Sequence, residues 1–418
     1  MSYFKDVRCI RCGHPLGDGA FFEGCPVCHA QGINVNYTTT YDLKGAKLPP
    51  RDNGQPGMYR FREFMPLPDD AVPVSIGEGN TPLLKLNRLG EKLGIANLYV
   101  KDEARNPTLS YKDRLCSLVV TKALHDKAPA VTISSTGNHG AAAAAYSAAA
   151  GLPCVIFTVP EVPQTMKTLM QALGACVIVT PTAHDRWVIM EKCVREFGWM
   201  PASGFMAPPI GSNCYGIDGY KPIAFETFEQ LGNKGADLVV VPACYSDGLY
   251  GTYKGWCDLK EMGYIEKVPK MVAAEVYAPI ETALAKNDGK PLSMPTNDWS
   301  VSFSIATSTA TWQGIEAVRG SDGYARSSSD EETMQMQLLL GSLEGIYAEA
   351  SSVTTLVAAA KLAKEGKIGP DDKVVAVLTS TGLKDPGSTQ KVLPAVPTIQ
   401  PEMDELRAAL KDAYGVSI

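Results

Sequence analysis

The chain has 418 residues, enough for two or three domains, and its 45% hydrophobic and 20% charged content is that of an ordinary globular enzyme. A net charge of -6 excludes a broad basic surface for nucleic acid or anionic membrane. The opening MSYFKDVRCIRC lacks the apolar core of a secretory signal, and the alanine-rich run 140–151 is too short to span a bilayer. Eleven cysteines, most of them scattered through apolar segments, fit a reducing cytoplasm better than a disulfide framework.

Taken in order, Cys9, Cys12, Cys25 and Cys28 come first, two Cys-x-x-Cys knuckles separated by 12 residues. Four thiolates at that spacing suit tetrahedral zinc and leave no open position for catalysis, so a structural ribbon over 1–36 is expected. His14 and His29 lie just outside the knuckles and are expected to be exposed rather than ligands. Residues 37–75, rich in Pro, Gly and charge, read as a linker and wrap. Gly77 to Leu83 is turn chemistry entering an apolar segment, and 98–101 reads as a short strand.

Residues 106–114 (NPTLSYKDR) place one lysine, Lys112, ahead of an apolar-periodic run through Leu115, Leu118, Val119, Ala123 and Leu124. Ser110 and Asp113 have capping-box spacing, which predicts a helix with Lys112 in its first turn. The positive end of that helix would lower the lysine pKa and make it a candidate Schiff-base nucleophile. On these nine residues alone, a surface Lys-Asp-Arg cluster capping an ordinary helix explains the pattern better.

Strand and helix then alternate: strands at 131–133, 154–159 and 176–180, helices at 138–150, 163–173 and 186–197. A second alternating set has strands near 238–242, 271–276 and 374–378, and helices near 223–231, 351–365 and 401–413. The pattern predicts an α/β fold of two open, mostly parallel sheets flanked by helices. Residues 286–335, polar and Ser/Thr-rich, are expected to be less regular and mobile on the substrate side.

Three strand-to-helix or strand-to-loop exits carry chemistry. Ser134 to Gly140 offers Gly137 for close backbone approach, free N–H groups at a helix start, and Asn138 as a donor. Ala243 to Leu249 offers backbone N–H groups and Ser246 to a phosphate, although Asp247 must then turn away. Leu378 to Asp385 ends a buried strand in hydroxyls; Thr379 there can hydrogen-bond a ring nitrogen without holding it protonated.

Together these stretches resemble the pyridoxal-phosphate enzymes of the tryptophan-synthase-β fold, and within them the threonine-synthase branch. The family's Asn-Pro-Thr-Gly-Ser-Phe-Lys-Asp-Arg lands on Lys112, its Ser-Thr-Gly-Asn on Ser135 to Asn138, and its Thr-Gly-x-Gly-Leu-Lys-Asp on Thr379 to Asp385. Gly345 to Ser351 is similar to its Glu-Pro-Ala-Ser stretch, and Gly77 to Leu83 to its Gly-Glu-Gly-x-Thr-Pro-Leu. The resemblance implies Lys112 as the catalytic lysine and Asn138 at the cofactor's phenolic oxygen. It implies Cys244, Tyr245, Ser246, Asp247 and Gly248 around the cofactor phosphate, and Thr379 at the pyridine nitrogen. Ser135, Thr136, His139, Asn213 and Lys221 are the implied substrate contacts, and a zinc ribbon precedes the catalytic domain in some members. The implied domains are a large cofactor domain from 37–117 and 222–418 and a small mobile one over 118–221.

Departures are informative: Leu109 and Tyr111 replace the family's Gly and Phe, and Gly216 stands where many members have a phosphate-gripping arginine. His139 after Asn138 is similar to the ammonia-lyase branch. The implied activity is a lyase acting on an amino acid with a β or γ leaving group, as when O-phosphohomoserine becomes threonine. β-Elimination or β-replacement on another hydroxy-, phospho- or thio-amino acid stays open, as does a zinc-ribbon binding protein with a silent cofactor domain. A small amino acid as substrate, a homodimer, and no nucleic-acid or membrane partner are expected.

Overall fold

The computed structural model describes residues 2–286, 290–295 and 299–418. Strand β1 (Phe4–Cys9) leads into the knuckles, helix α1 (Pro26–His29) carries Cys28, and β2 (Tyr37–Tyr41) returns antiparallel, with Cys9 opposite Tyr37. The first five residues of the expected linker are therefore strand. The β-branched and aromatic YTTTY sequence buries Tyr37 and Thr39 on one face, the alternation a half-buried strand requires. The wrap follows as expected: 3-10 turns over Gly57–Phe64 bury Met58, Tyr59, Phe61 and Phe64.

The first half of the large sheet comprises β3 (Leu83–Lys85), α2 (Asn87–Leu93), β4 (Asn97–Asp102) and α3 (Lys112–His125). The chain then builds a separate parallel sheet. It consists of β5 (Val131–Ser134), α4 (Asn138–Ala150), β6 (Cys154–Thr158), α5 (Gln164–Ala172), β7 (Cys176–Val179), α6 (Ala183–Phe197) and β8 (Met200–Pro201), in strand order β7-β6-β5-β8. Residues Ala141 to Ala145 are all buried, so α4 presents little more than methyl groups to its neighbours. Position 117, the expected domain edge, falls inside α3.

Helices α7 (Cys214–Ile217) and α8 (Lys221–Gln230) bring the chain back. The large sheet is completed by β9 (Leu238–Pro242), α9 (Asp247–Glu261), β10 (Lys270–Glu275), α10 (Pro279–Ala285), α11 (Trp312–Gly320), β11 (Tyr324–Ser327), α12 (Asp330–Glu344), α13 (Ala350–Lys364) and β12 (Lys373–Leu378). Its order is β11-β10-β9-β12-β4-β3, parallel except where β3 runs against β4. The two central strands, LVVVP and KVVAVL, are near-continuous apolar runs because helices cover both faces. Short α14 (Pro386–Gln390) and the surface helix α15 (Met403–Tyr414) close the chain. Two open, mostly parallel sheets are what the sequence predicts.

The expectation for 286–335 needs correction only in its second half. Positions 287–289 and 296–298 lie outside the described residues; the described residues up to 311 are largely irregular apart from a short 3-10 turn (Phe303–Ile305), and regular structure begins at 312 with α11, β11 and the start of α12. Two of the hydroxyl residues that made the stretch look like loop are helix caps. Thr311 accepts from the Gly314 N–H, and Ser329 with Glu332 forms a capping box. Among the described residues no helix is long and apolar enough to cross a membrane.

Candidate active site

Lys112 opens α3, at the carboxyl ends of β12 and β4. The predicted capping box is absent: Tyr111 precedes the helix without a side-chain cap, and Ser110 contributes only its carbonyl to the Asp113 N–H. The Asp113 carboxylate instead reaches back to the Thr108 N–H at 2.7 Å and hydroxyl at 2.5 Å, which fixes the turn before the lysine. Burial pushes Asp113 up to about 7. The Lys112 ammonium stands 5.0 Å from the centre of the Tyr111 ring and 5.9 Å from that of Tyr220. The expected lowering of its pKa is also corrected. Burial does act downward, but the Tyr111 phenol and Asp247 carboxylate outweigh it and hold the amine above its ordinary value.

Under this turn lies a closed set of charges. Arg114 is fully buried and pairs with Glu103 at 2.7 Å and Glu226 at 2.8 Å, while Lys101, also fully buried, pairs with Glu226 at 2.7 Å. The Asn106 side chain joins it, donating to Glu103 and accepting from the Gly79 N–H. The Gly77 to Leu83 motif thus builds the floor: Glu78 accepts from Ser117 and Tyr146, and Thr81 donates to Glu103.

Facing Lys112 is the exit of β9. Ser246 adopts a left-handed conformation (φ 67°) and its buried hydroxyl has no partner, while Asp247 starts the 15-residue α9. The helix start supplies unpaired N–H groups to an anion. Asp247 is turned away: its carboxylate accepts from the Ser212 N–H at 2.8 Å, the Ser212 hydroxyl at 2.6 Å and Gln313 at 2.7 Å. Only glycine fits at 248, because a Cβ there would lie 2.4 Å from the Tyr111 ring. Burial pushes the Cys244 thiol up to about 11, with Lys112 acting in the opposite sense, so the loop gains no negative charge there. Tyr245 lines an adjoining cavity of about 560 Å³ with Trp187 and Thr307.

The third wall is the start of α4. The Asn138 amide donates to Glu349 at 2.6 Å and accepts from Lys384 at 2.7 Å and Ser380 at 3.2 Å. Glu349 is also held by the Ser304 hydroxyl. Ser135 accepts from the Gly137 and Gly140 N–H groups, and Thr136 lines a cavity of about 300 Å³ with Glu161, Phe303 and Asp385. His139 keeps an unpartnered, shielded Nε2, and burial followed by the charge of Lys112 holds its imidazole well below the ordinary range. Thr379 ends β12 with its hydroxyl 2.9 Å from that of Ser352, and its carbonyl accepts from the Tyr111 N–H.

Two expected substrate contacts are engaged within the protein in this structure. Asn213 spends its amide on capping α7, accepting from Tyr215 and Gly216, and on donating to the Pro201 carbonyl. The Lys221 ammonium is fully buried against Asp258 at 2.6 Å and the Phe64 carbonyl at 2.9 Å, so it has no face left for a ligand. An arginine at 216 is excluded as well, since even a Cβ would lie 2.5 Å from Val119. Sequence reasoning missed Arg186. It lies on the first turn of α6 and has no carboxylate partner among the described residues, and its pKa is lowered by burial, with Tyr245, Cys244 and Glu161 opposing. The adjoining Trp187 ring stands 6.4 Å from that of Tyr245. Its unpaired cation on an amphipathic helix looks like any surface arginine in sequence.

In the ribbon the four sulfurs lie within 4.8 Å of one another, with Cys9–Cys28 and Cys12–Cys25 both 3.6 Å apart. A tetrahedral ion with bonds of ~2.3 Å needs sulfurs roughly 3.8 Å apart, so the cluster can hold a metal.

A lysine heading a helix at the mouth of a parallel sheet, opposite a helix start with a free hydroxyl, agrees with what comparison with known proteins shows. The sequence profile described as pyridoxal-phosphate dependent enzyme matches residues 74–380. The chain belongs to that family. It is 32% identical to a threonine synthase of Methanocaldococcus jannaschii over 412 residues, covering 97% of this chain and 99% of the relative. It is 35% identical to one of a Bacillus species over 330 residues, covering 78% and 89%. Among solved structures, diaminopropionate ammonia lyase from Escherichia coli superimposes with a TM-score of 0.65 at 19% identity, covering 76% of this chain and 88% of that one. Serine racemase from Dictyostelium discoideum does so with 0.60 at 22%, covering 72% and 92%. These structures establish the pyridoxal-phosphate enzyme fold for this chain, and its sequence is threonine-synthase-like.

Proposed function

We propose that this chain is a carbon–oxygen lyase working as a threonine synthase, converting O-phosphohomoserine to threonine. One observation supports the phosphorylated substrate: Arg186, without a carboxylate partner among the described residues, precedes Trp187, whose ring stands 6.4 Å from that of Tyr245 in the 244–248 loop. The site then has two anion positions. The N-terminus of α9 with Ser246 and Gly248 suits the cofactor phosphate, and the Arg186 guanidinium suits a second phosphate, as a charge-assisted donor.

The residues present fit pyridoxal phosphate, as the free Ser246 hydroxyl and the glycine-only position at 248 indicate. When bound, the cofactor supplies an electron sink for charge developing on the substrate. Lys112 would hold it covalently through Nζ and, once displaced by the substrate amine, move protons at the α-carbon. Asn138 would use its second N–H for the cofactor's phenolic oxygen, since Glu349 takes the first and its carbonyl is occupied by Lys384 and Ser380. Thr379 would meet the pyridine nitrogen with a hydroxyl, which does not hold that nitrogen protonated. Ser135 and Thr136 would receive the substrate carboxylate at the head of α4. We further propose a structural zinc on Cys9, Cys12, Cys25 and Cys28, supported by the sulfur geometry. None of the eleven cysteines forms a disulfide, which supports a reducing, cytoplasmic setting. The separate four-stranded sheet supports a small mobile domain over 118–221.

A second reading, β-elimination or β-replacement on an unphosphorylated amino acid, draws on the neutral, unpartnered His139 imidazole beside Lys112. Incubation with O-phosphohomoserine, and separately with serine, threonine and phosphoserine, separates the two. Inorganic phosphate together with threonine supports the first reading; keto acid and ammonia from serine or threonine, with no phosphate released from O-phosphohomoserine, would replace it with the second.

A further inference from the structure

The ribbon lies outside the span 74–380 shared with the cofactor family, yet it is wired to the cofactor loop. Three of its cysteines, Cys9, Cys25 and Cys28, share an apolar cluster with Cys214 and the half-buried Trp312. Arg11, within the first knuckle, donates to the Cys28 sulfur at 3.6 Å and stacks 5.4 Å from the centre of the Trp312 ring. Trp312 opens α11, and the next residue is Gln313, which is fully buried.

Both ends of the Gln313 amide are committed. Its nitrogen donates to the Tyr245 carbonyl at 2.6 Å and to the Asp247 carboxylate at 2.7 Å. Its oxygen accepts from the Asn36 side chain at 3.3 Å, and Asn36 also donates to the Ser212 carbonyl at 3.1 Å. Asn36 stands at the base of the ribbon, where its backbone carbonyl accepts from Ile10, between the cysteines of the first knuckle. Ser212 in turn grips both oxygens of Asp247. The packing leaves no slack: a Cβ at Gly211 would lie 2.5 Å from the Gln313 nitrogen, and one at Gly314 would lie 2.4 Å from the Ser246 hydroxyl.

We propose that Gln313 is a positioning residue through which the metal-loaded ribbon sets the shape of the 244–248 loop, and with it the affinity for the cofactor phosphate. The inference rests on the reading that this loop takes that phosphate and that the cysteines hold zinc. Asp247 sits at the helix N-terminus where the phosphate would bind, and a carboxylate free to swing there would repel it. Gln313 and Ser212 keep it turned inward. Metal in the ribbon fixes Arg11, Trp312 and Asn36, and these hold the first turn of α11 against the loop.

The test is a thermodynamic cycle on the full-length protein, read as the dissociation constant of pyridoxal phosphate from its visible absorbance, with zinc content measured in parallel. Gln313→Leu loses buried hydrogen bonds, one of them to a carboxylate, and should weaken cofactor binding at least ~10-fold while zinc stays bound. Chelation of zinc from the wild type should weaken cofactor binding to a similar degree. In Gln313→Leu, chelation should then add less than about twofold, because both changes break one path. Asn36→Ala, which leaves every cysteine in place, should weaken the cofactor with zinc retained, and so guards against simple unfolding of a stripped ribbon. Unchanged cofactor affinity in zinc-free wild type or in Asn36→Ala, or losses that multiply independently in the cycle, would overturn the inference while leaving the proposed function intact. A wild type that binds neither zinc nor cofactor would remove both.

Discussion

Below the Lys112 turn, Arg114, Lys101, Glu103 and Glu226 are buried and pair with one another. At the rim above it, Arg186 has no carboxylate partner among the described residues, and the Ser246 hydroxyl and His139 Nε2 accept and donate nothing. Burial is costly for unpaired polar groups, so a fold retains them where a ligand completes them. On the proposed function, the lower layer is scaffold and the upper layer is receptor. Sequence type does not separate them, because an arginine appears in each.

Breaking the lower layer should have the largest effect. Arg114→Met leaves two buried carboxylates facing one lysine and should cost about 3–5 kcal/mol in denaturant unfolding. Burial acts to raise the Glu226 pKa, but Arg114 and Lys101 overcome it and hold the carboxyl far below its ordinary value. Its contribution is therefore present above the unfolded value of 4.5 and is lost as pH falls, so the variant should show a weaker acid dependence of stability than the wild type. A loss under about 1 kcal/mol would mean that the layer does not carry the turn.

Perturbing the upper layer should leave stability alone. Arg186→Met should raise KM for O-phosphohomoserine about 10- to 100-fold, the value of one charge-assisted hydrogen bond, with Tm little changed. An unchanged KM would take Arg186 out of the substrate site.

Lys384 bridges the layers, buried, with its ammonium bonded among the described residues only to the Asn138 amide. Burial pushes its ammonium down to about 8 from 10.5, with Glu349 and Asp113 opposing. Between those values the unfolded chain holds the proton and the folded chain does not, so stability should rise with pH from about 8 to 10.5. Lys384→Met should lack that rise, and an equal rise in both proteins would place the titration elsewhere.

The smallest effect belongs to Leu109, which holds φ 61° where the family has glycine. Leu109→Gly should relieve left-handed strain and stabilise by about 1 kcal/mol or less. Measurable destabilisation would show that its side chain packs.

What was legible in the sequence follows the same division. The two sheets could be read because LVVVP, VTIS and KVVAVL are apolar runs between helices of clear period. That Lys112, Asn138 and Thr379 lie at the mouth of the sheet could be read because each sits at a strand exit, where local sequence largely determines position. The partners of Asn213 and Lys221 could not be read, because a polar residue near a site looks alike in sequence whether it caps a helix or meets a ligand; the Pro201 and Asp258 contacts appear only in the fold. Gln313 was invisible for the converse reason. Its partners Asn36 and Asp247 are 277 and 66 residues away, and no local pattern marks a buried amide that joins them. The regular structure within 286–335 was hidden because Thr311 and Ser329 read as loop until their cap bonds are seen.

The central claim is that Lys112, and not the buried amine of Lys384 beside Asn138, carries the cofactor. Borohydride reduction of the purified, cofactor-loaded protein followed by peptide mass spectrometry tests it directly. The pyridoxyl mass should appear on the peptide containing Lys112 and vanish, with the visible band, in Lys112→Ala; the same label on Lys384 or any other side chain of the wild type would contradict the account.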